Sequence, residues 1–269
     1  MVLFANAKIN LGLSIVSKRE DGYHNIESIF YPVKLYDVLE FVDADSFNFE
    51  SFGIDIPDSG QNLCEKAYQL LSQNFPQIKP VSINLLKNIP IGAGLGGGSS
   101  DAAFVLKALN QLNDLHLSDQ QLMGYAEKLG ADCAFFISNK PTYATGIGTD
   151  FSDIDVDLTA YYIVIIKPEI HISTVEAYTN VKPQISDVDL REAIKLPIQE
   201  WKYYIRNDFE DGIFEKYPII KDIKLKLYEN GALYASMSGS GSAVYGIFEE
   251  PIKLEGFDNL GKIYYPVEL

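Results

Sequence analysis

The chain has 269 residues, of which 47% are hydrophobic, and its formal net charge at pH 7 is −15. This length and hydrophobic content suffice for one large or two medium domains with sizeable cores. Surfaces that bind nucleic acid are rich in clustered Lys and Arg, so the acidic balance argues against a nucleic-acid partner. It does not exclude phosphate ligands, because local amides, helix ends and Mg²⁺ set the electrostatic field inside a pocket.

The cysteine content and the N-terminus bear on the compartment. The two cysteines, Cys64 and Cys133, are too few for a disulfide framework and fit a reducing compartment. Residues 1–16 lack a basic segment and contain Lys8, which argues against a signal peptide. No apolar run approaches the length of a membrane span. We therefore expect a cytoplasmic protein that does not bind membranes.

The first 90 residues predict mainly strands. Residues 2–16 predict one long strand or a strand pair, interrupted near Lys8, and Asp21-Gly22 is a turn signal. The apolar residues of 61–74 have the period of a helix. Further strands are predicted over residues 26–35, 37–42, 46–53 and 81–85.

A run of glycines follows the last of these strands. Five of the seven residues from Gly92 to Gly98 are glycine. Ordered glycine loses more backbone entropy than any other residue, so such a run needs a structural or functional reason. Bare backbone N–H groups can converge on a phosphate, and a following helix adds its free N–H groups and the positive end of its dipole. We expect Ser99 or Ser100 to be the N-cap of that helix, and we interpret the run as a phosphate loop.

Other interpretations of the glycine run fit less well. A P-loop requires Lys after its last glycine, where this chain has Ser99. The dinucleotide fingerprint can be placed on Gly92, Gly94 and Gly97, but it needs an acidic residue about 20 positions on, and Asp114 there lies in a polar loop. A flexible turn without a ligand is the remaining alternative.

The rest of the chain mixes helices and strands without strict βαβ order, which predicts an α+β fold. Ser118 and Gln121 form a capping box for a helix that should end near Gly130. Residues 141–155 are rich in turn residues and acids and carry the sharpest change in composition. We place a domain boundary near Asp153, which gives domains 1–153 and 154–269.

The second half predicts a central strand, several helices and a final strand pair. Gly231 is expected to close the last of the helices. The strand is predicted over residues 158–168, helices over 173–178, 186–196 and 219–231, and the strand pair over 232–248 with a loop at 238–242.

Three separated stretches together resemble one enzyme superfamily. They are AKINLGLSIVSKREDGYHNIESIF near the N-terminus, PIGAGLGGGSSDAA in the middle and MSGSGSAVYGIF near the C-terminus. Their order and content resemble the GHMP kinases, the superfamily of galacto-, homoserine, mevalonate and phosphomevalonate kinases. DGYH, the extra glycines before SSDAA, GAD followed by aromatics, and RNDFE resemble the subfamily that acts on a cytidine diphosphate-linked methylerythritol. The resemblance spans about Ala7 to Phe248.

The resemblance implies both a fold and a reaction. ATP, with Mg²⁺, would phosphorylate the 2-hydroxyl of the cytidine diphosphate-linked methylerythritol in the non-mevalonate isoprenoid pathway. The N-terminal domain would be of the ribosomal S5 domain 2 type and the C-terminal domain a ferredoxin-like sandwich, with the active site in the cleft between them. Ser100 is a possible ligand of the metal, and its other ligands stay open. The implied ATP site comprises Pro90, Ile91, Gly92, Ala93, Gly94, Leu95, Gly96, Gly97, Gly98, Ser99 and Ser100.

The resemblance also implies roles for residues whose own chemistry leaves the role open. Asp132 alone could be a cap or a solvated loop residue; the resemblance makes it the base that accepts the hydroxyl proton. Lys8 alone suits a strand position facing water or the interior; the resemblance makes it the electrostatic partner of Asp132. Asn10 should share the strand face of Lys8 and bind the erythritol part. Asp101 would repel a phosphate, so we expect it to point away within the first helical turn.

A cytosine clamp is the most specific implication. The resemblance implies that Tyr23 stacks on the cytosine and that His24 hydrogen-bonds to it, although an isolated His here is more often a surface residue. Tyr178 would complete the sandwich; the family pattern often has Phe there, and either ring can stack. Thr174, four residues earlier, should face the same pocket. Residues 238–242 should border the active site and steady the phosphate loop.

Two alternative functions stay open from the sequence. The first is another GHMP kinase of the mevalonate or homoserine type, but a substrate without a base would not need DGYH and Tyr178. The second is a non-catalytic small-molecule binder on the same fold, against which the presence of both Lys8 and Asp132 argues.

Overall fold

The structure is a computed structural model that describes residues 1–57, 61–179, 181–257 and 259–269. The chain divides into two compact units. The first unit comprises Met1–Ala7, Lys34–Ile91 and Gly96–Lys140, and the second comprises Lys8–Val33, Gly92–Leu95 and Pro141–Leu269. The domain boundary near Asp153 stays a prediction. Within the described ranges, the helices lack the length and apolar character needed to cross a membrane.

The described residues form ten strands and nine helices. The strands are β1 (Val2–Lys18), β2 (His24–Asp43), β3 (Asn48–Gly53), β4 (Val81–Lys87), β5 (Thr142–Thr145), β6 (Asp150–Asp153), β7 (Tyr162–Lys167), β8 (Tyr234–Met237), β9 (Val244–Phe248) and β10 (Lys262–Tyr264). The helices are α1 (Leu63–Asn74), α2 (Gly97–Leu112), α3 (Asp119–Ala126), α4 (Phe135–Ser138), α5 (Thr174–Thr179), α6 (Leu190–Ala193), α7 (Ile198–Tyr204), α8 (Glu210–Lys216) and α9 (Pro218–Glu229).

Strand β4 organises the sheet of the first unit. It runs parallel to β3 and antiparallel to the second half of β2, where Leu39 faces Leu85. Side chains two residues apart share a face of a strand. Accordingly Val81, Ile83 and Leu85 are buried while Leu86 is exposed, and Lys87 is buried on the same face as the three apolar residues. A charged side chain is thereby carried into the interior at the end of the strand.

The helices of the first unit pack against one another. Helix α1 begins with a capping box in which Asn62 accepts the N–H of Cys64 and Glu65 accepts the N–H of Asn62. It packs against α2, which is buried along most of one side. Full burial of an aliphatic side chain contributes about 1.5–3 kcal/mol to stability. The buried apolar residues of α2 are Ala102, Ala103, Val105, Leu106, Ala108 and Leu109.

The second unit contains a hairpin and a four-stranded antiparallel sheet. Strands β5 and β6 form the hairpin, and β5 pairs with the first half of β2. The sheet has the order β10-β7-β9-β8. Helix α9 packs on β8 and β9 and buries Ile220, Ile223 and Leu227, which recur at the spacing of one helix face.

Helix α9 ends as the sequence predicts. Gly231 has a φ of 91°, a left-handed conformation that glycine adopts without strain. Its N–H donates to the carbonyl of Tyr228 (2.9 Å), and the N–H of Ala232 donates to that of Leu227 (3.0 Å). These two bonds form a Schellman motif, which satisfies carbonyls that the helix end would leave unpaired.

The α+β class is confirmed, and several predicted boundaries are wrong. β1 is one continuous strand, without an interruption at Lys8, because that lysine is buried and bonded inside the protein. Residues 26–35 and 37–42 lie in the single strand β2, and residues 141–155 contain the hairpin β5–β6 instead of turns alone. The hairpin was missed because its strands have four residues each.

The predicted helices show similar differences. Ser118 caps α3 with the predicted box, but α3 ends at Ala126 and not near Gly130, because residues 127–129 form turns. The helix predicted over 186–196 is confined to α6. The sequence analysis did not predict α7, α8 or β10. These short elements carry too few residues for a periodic pattern to emerge.

Candidate active site

Helix α2 begins with glycine and has no side-chain cap. Its N-cap is Gly96, with a φ of 69°, and the first intrahelical bond runs from the N–H of Ser100 to the carbonyl of Gly96 (2.9 Å). The prediction that Ser99 or Ser100 is the N-cap is therefore wrong, because both serines lie inside the helix. The first N–H groups of a helix have no intrahelical acceptor. A glycine cap leaves the N–H groups of Gly97 and Gly98 as donors at this end.

The first half of the glycine run is held by the β8–β9 loop of the second unit. Gly94 has a φ of 77°, and a Cβ on it would lie 1.9 Å from the carbonyl oxygen of Ser238, so only glycine fits. The hydroxyl of Ser238 donates to the carbonyl of Gly94 (2.8 Å), and the N–H of Ala243 donates to that of Ala93 (3.2 Å). The expected contact between residues 238–242 and the glycine run is present.

Asn207, in the stretch RNDFE, binds the backbone at this loop through its side chain. Its side chain is buried and donates to the carbonyls of Met237 (2.9 Å) and Gly239 (2.8 Å). Glu210 accepts the N–H of Met237 (2.9 Å) and pairs with Lys224 (2.6 Å). The stretch RNDFE carries part of the family resemblance, but no local pattern indicates this role of Asn207, because its partners lie about thirty residues away along the chain.

Gly97 and Gly98 are glycines for different reasons. A Cβ on Gly97 would lie 2.8 Å from both the Lys87 Nζ and the Ile89 Cγ2, so packing excludes any larger residue. A Cβ on Gly98 would meet only the Leu63 Cδ1, at an ordinary contact distance of 3.8 Å. Internal packing therefore does not require glycine at position 98, and the space beside it is open.

Asp132 lies in the turn before α4 and is half-buried. Its neighbour Cys133 is buried, and burial raises the pKa of the Cys133 thiol to about 11, against a smaller opposite effect of a hydrogen bond to Ser99. Ser99 is in the first turn of α2, and a Cβ on Gly130 would lie 3.4 Å from the Cys133 Sγ and 4.0 Å from the Ser99 Oγ, so the turn that carries Asp132 lies beside the uncapped end of the helix. Both elements belong to the first unit.

Lys8 and Asn10 lie on one face of β1, as predicted. Lys8 is 4% exposed, and its ammonium donates to the Asn10 Oδ1 (2.7 Å). The Asn10 amide donates to the Ser28 hydroxyl (2.8 Å), which donates to the carbonyl of Gly12 (2.6 Å). The backbone N–H of Lys8 donates to the carbonyl of Leu95 in the glycine run (2.9 Å). In the second unit, the strand and the run are thus joined directly.

Four predicted substrate residues line one cavity of the second unit. Tyr23, His24, Thr174 and Tyr178 border a space of ≈ 290 Å³. The imidazole of His24 stacks on the Tyr178 ring with centroids 4.6 Å apart and planes at 18°, while Phe209 meets Tyr178 edge-on. Burial and the nearby Lys18 lower the pKa of His24. Tyr23 is 62% exposed and leaves its ring accessible.

A buried ionic cluster in the first unit was missed by the sequence analysis. Lys87 pairs with Asp37 of β2 and with Asp101 of α2, the latter at 3.1 Å. Asp101 therefore points inward from the second helical turn, and not from the first turn as expected. Period-two alternation places Asp37 in phase with buried Leu35 and Leu39, which is the signal that could have revealed it.

The charges of this cluster perturb one another. Burial raises the pKa of Asp101 to about 8, although Lys87 acts in the opposite direction. Burial acts to lower the pKa of Lys87, but Asp101 and Asp37 outweigh it and the net shift is upward. The ammonium therefore stays charged at neutral pH.

The chain matches known families and proteins along its length. It matches the GHMP kinases N terminal domain over residues 62–140 and the GHMP kinases C terminal domain over residues 190–257. It is 50% identical over 274 residues to the 4-diphosphocytidyl-2-C-methyl-D-erythritol kinase of Bacteroides fragilis, covering 100% of both chains. The chain belongs to this family of GHMP kinases. The protein of that name from Bacteroides thetaiotaomicron is 54% identical over 254 residues, covering 93% of this chain and 92% of the relative.

Solved structures agree with this membership. A crystal structure of 4-(cytidine 5'-diphospho)-2C-methyl-D-erythritol kinase matches with a TM-score of 0.81 and 31% identity over 98% of both chains. A homoserine kinase from Cytophaga hutchinsonii, at 18% identity and a TM-score of 0.65 over 90% of this chain and 84% of that chain, shares the fold. The predicted family and fold are confirmed. GHMP kinases use ATP, so the chain is an ATP-dependent kinase that acts on a small-molecule alcohol.

Proposed function

We propose that the chain transfers the γ-phosphoryl group of ATP to the 2-hydroxyl of 4-diphosphocytidyl-2-C-methyl-D-erythritol, in the cytoplasmic non-mevalonate isoprenoid pathway. The observation that carries this proposal is the cavity bordered by Tyr23, His24, Thr174 and Tyr178, which offers aromatic faces and polar groups to a base. A mevalonate or homoserine acceptor has no base to fill it. The relatives named above for this acceptor support the same choice.

In this proposal the glycine run binds the ATP phosphates. The N–H groups at the start of α2 donate to phosphate oxygens, and the helix dipole favours their negative charge. Gly92–Leu95 contribute further backbone donors, and Ser238 fixes their path. Residues 90–100 form this site. In the same proposal, the boundary between the two domains lies near Asp153.

Mg²⁺ accompanies the nucleotide in this proposal. It supplies charge screening of the β- and γ-phosphates. Mg²⁺ is commonly held by substrate phosphates, waters and one or two carboxylates, without a dedicated protein cage. This fits the part of the chain that the structure describes, where no three His, Cys, Asp or Glu side chains cluster as ligands. We assign no protein ligand to the ion.

Asp132 and Lys8 perform the chemistry in this proposal. Phosphoryl transfer needs mainly positioning and charge stabilisation. Asp132 accepts the proton of the attacking hydroxyl, and the Lys8 ammonium stabilises charge on the transferred group. Asn10 orients the Lys8 ammonium through the 2.7 Å bond and faces the erythritol part. Asn10 is itself fixed by Ser28, so the ammonium is oriented before substrate arrives.

One assay tests the reaction as a whole. ADP release is measured with 4-diphosphocytidyl-2-C-methyl-D-erythritol, mevalonate and homoserine offered in parallel. We expect turnover with the first acceptor alone, because only it fills the aromatic cavity. Comparable kcat/KM values for mevalonate or homoserine would favour the alternative kinases, and no ADP release with any acceptor would favour a non-catalytic binder.

Gly98→Val tests the phosphate loop without disturbing the interior. The added methyl groups enter the open space beside the helix end and should exclude the phosphates, so we expect at least about a tenfold loss of ATP affinity, or roughly 1.4 kcal/mol. Gly97→Val is unsuitable, because its Cβ would collide with Lys87 and Ile89. Calorimetry with ATP measures the effect, and Gly124→Val on α3, where a Cβ meets nothing within 4 Å, is the control. Unchanged ATP affinity in folded Gly98→Val would place the phosphates elsewhere.

Asp132→Asn tests the base. Loss of a general base slows turnover by about a hundredfold or more, and we expect kcat to fall by at least that factor. Binding of ATP and acceptor should change much less, because the interaction strengthens in the transition state. Steady-state kinetics measure both, with Asp119→Asn, an exposed acid in the same unit, as the control. A kcat near that of the wild type would exclude Asp132 from proton transfer.

Tyr178→Ala tests the cytosine clamp. Stacking of a base on an aromatic ring contributes about 1–3 kcal/mol, so we expect CDP to bind roughly tenfold to a hundredfold more weakly. Tyr178→Phe should bind CDP almost as the wild type does, because the ring and not the hydroxyl stacks. Competition by CDP against the acceptor provides the measurement, with ATP affinity as the internal control. If Tyr178→Ala weakened ATP and spared CDP, the clamp would be wrong.

A further inference from the structure

The cluster of Asp37, Lys87 and Asp101, which we call the ionic cluster, is almost fully buried. The three residues are 0%, 3% and 2% exposed. Burying an ion is costly unless its partners compensate for lost water. Two carboxylates here share one ammonium, so the cluster carries one excess negative charge when both are ionised. Among the described residues, the Asp101 Oδ1 is a buried atom without a hydrogen-bond partner.

The ionic cluster contacts the chain on both sides of the glycine run. On one side, the Asp37 Oδ1 accepts the N–H groups of Asn88 (2.6 Å) and Ile89 (2.8 Å), which lead into the run. On the other side, a Cβ on Gly97 would lie 2.8 Å from the Lys87 Nζ, so the ammonium lies directly against the first turn of α2. All of these residues belong to the first unit.

We propose that Lys87 is a positioning residue for the ATP loop, and that the protonation of Asp101 sets how strongly the loop binds ATP. The ammonium holds the first turn of α2 and the segment 87–89 in the arrangement that presents the helix N–H groups to the phosphates. It acts through Gly97 and Ile89 and does not touch the nucleotide. This inference rests on the proposed ATP site at residues 90–100.

The sign of the pH effect follows from the charges around Asp101. Lys87 faces it from β4 and Asp37 from β2, and the Cys64 thiol of α1 is a further titratable group nearby. Burial raises the pKa of Cys64 well above its ordinary value, so the thiol stays neutral. Burial raises the pKa of Asp101 to about 8. Below that pH, Asp101 is neutral and the ionic cluster has no net charge.

Above that pH, Asp101 ionises and the excess negative charge lies beneath the helix end that holds the phosphates. Like charges repel strongly at short range in a protein interior. ATP affinity should therefore be highest below the pKa of Asp101 and fall as the pH rises through it. Equivalently, ATP binding takes up a proton near pH 8.

The first arm of the test compares the wild type with Asp101→Asn. The amide keeps an oxygen that accepts from Lys87 but cannot ionise. Calorimetry with ATP between pH 7 and pH 9 should show a rise in Kd of about tenfold for the wild type, the effect of one nearby charge. The Kd of Asp101→Asn for ATP should change much less with pH, because only the titration of ATP itself then contributes to the change. Equal slopes for the two proteins would overturn the role of Asp101.

The second arm removes the ammonium. Lys87→Met alone leaves two unpaired buried carboxylates, and loss of one partner of a buried pair is strongly destabilising. The double variant Lys87→Met/Asp101→Asn leaves one such carboxylate, Asp37, which keeps the N–H donors of Asn88 and Ile89, and circular dichroism tests whether it folds. We expect its Kd for ATP at pH 7 to be at least tenfold that of Asp101→Asn. The KM for the acceptor should change less than twofold.

Lys107→Met, on helix α2 with Asp101, is the matched control for removal of a lysine ammonium. Its ammonium donates to the carbonyls of Phe136 (3.3 Å) and Ile137 (2.9 Å), away from the glycine run. This variant should unfold at a lower denaturant concentration while keeping the wild-type Kd for ATP. If Lys87 only stabilised the fold, the double variant would also unfold at a lower denaturant concentration while keeping the Kd for ATP of Asp101→Asn. That result would overturn the positioning role.

The outcomes separate this inference from the proposed function. If Gly98→Val keeps wild-type ATP affinity, the proposed ATP site fails and the inference fails with it. If Gly98→Val loses affinity while a folded double variant keeps it, the inference alone fails. Should the double variant not fold, the pH profiles of the wild type and Asp101→Asn decide.

Discussion

The uncapped N-terminus of helix α2 is the constraint on which the rest of the structure depends. In the same unit, α1 and α3 begin with complete capping boxes at Asn62 and Ser118. Replacing such a cap by glycine costs only roughly a few tenths of a kcal/mol, so α2 loses little stability by starting at Gly96. A side-chain oxygen at this position would accept the N–H groups that a phosphate needs. The free donors at the start of α2 are the groups that the proposed phosphate site requires, and leaving them free costs little local stability.

Flexible glycine is made rigid by its neighbours. Gly94 lies against the carbonyl of Ser238, and Gly97 lies against the Lys87 ammonium, so each half of the run is fixed within its own unit. A loop that is ordered before the ligand arrives loses less conformational entropy on binding, and affinity gains accordingly. Ser238 is in turn held by the loop that Asn207 supports, while Lys87 is held by two carboxylates. Hydrogen bonds between residues far apart in sequence therefore supply the order that glycine lacks.

How much of the structure the sequence could predict depends on how far apart along the chain the interacting residues lie. The order of strand, glycine run and helix, the box at Ser118 and the closure at Gly231 are local patterns, and each was predicted. The continuity of β1 through Lys8 depends on a bond to Asn10 and on burial, which the sequence leaves open. The ionic cluster joins residues up to 64 positions apart, Asp37 and Asp101. The period-two alternation of β2 indicates that Asp37 is buried, but it does not predict which residues pair with its charge.

The aromatic cavity is ordered by contacts between its own side chains. In this structure Tyr178 already stacks on His24, and Phe209 fixes its orientation from the side. An aromatic pair contributes about 0.5–1.5 kcal/mol beyond the burial of its area, so these contacts hold the Tyr178 ring in one orientation without a ligand. His24 adds a polar edge to the cavity. Burial and the nearby Lys18 lower its pKa and so favour the neutral imidazole, which has one donor and one acceptor.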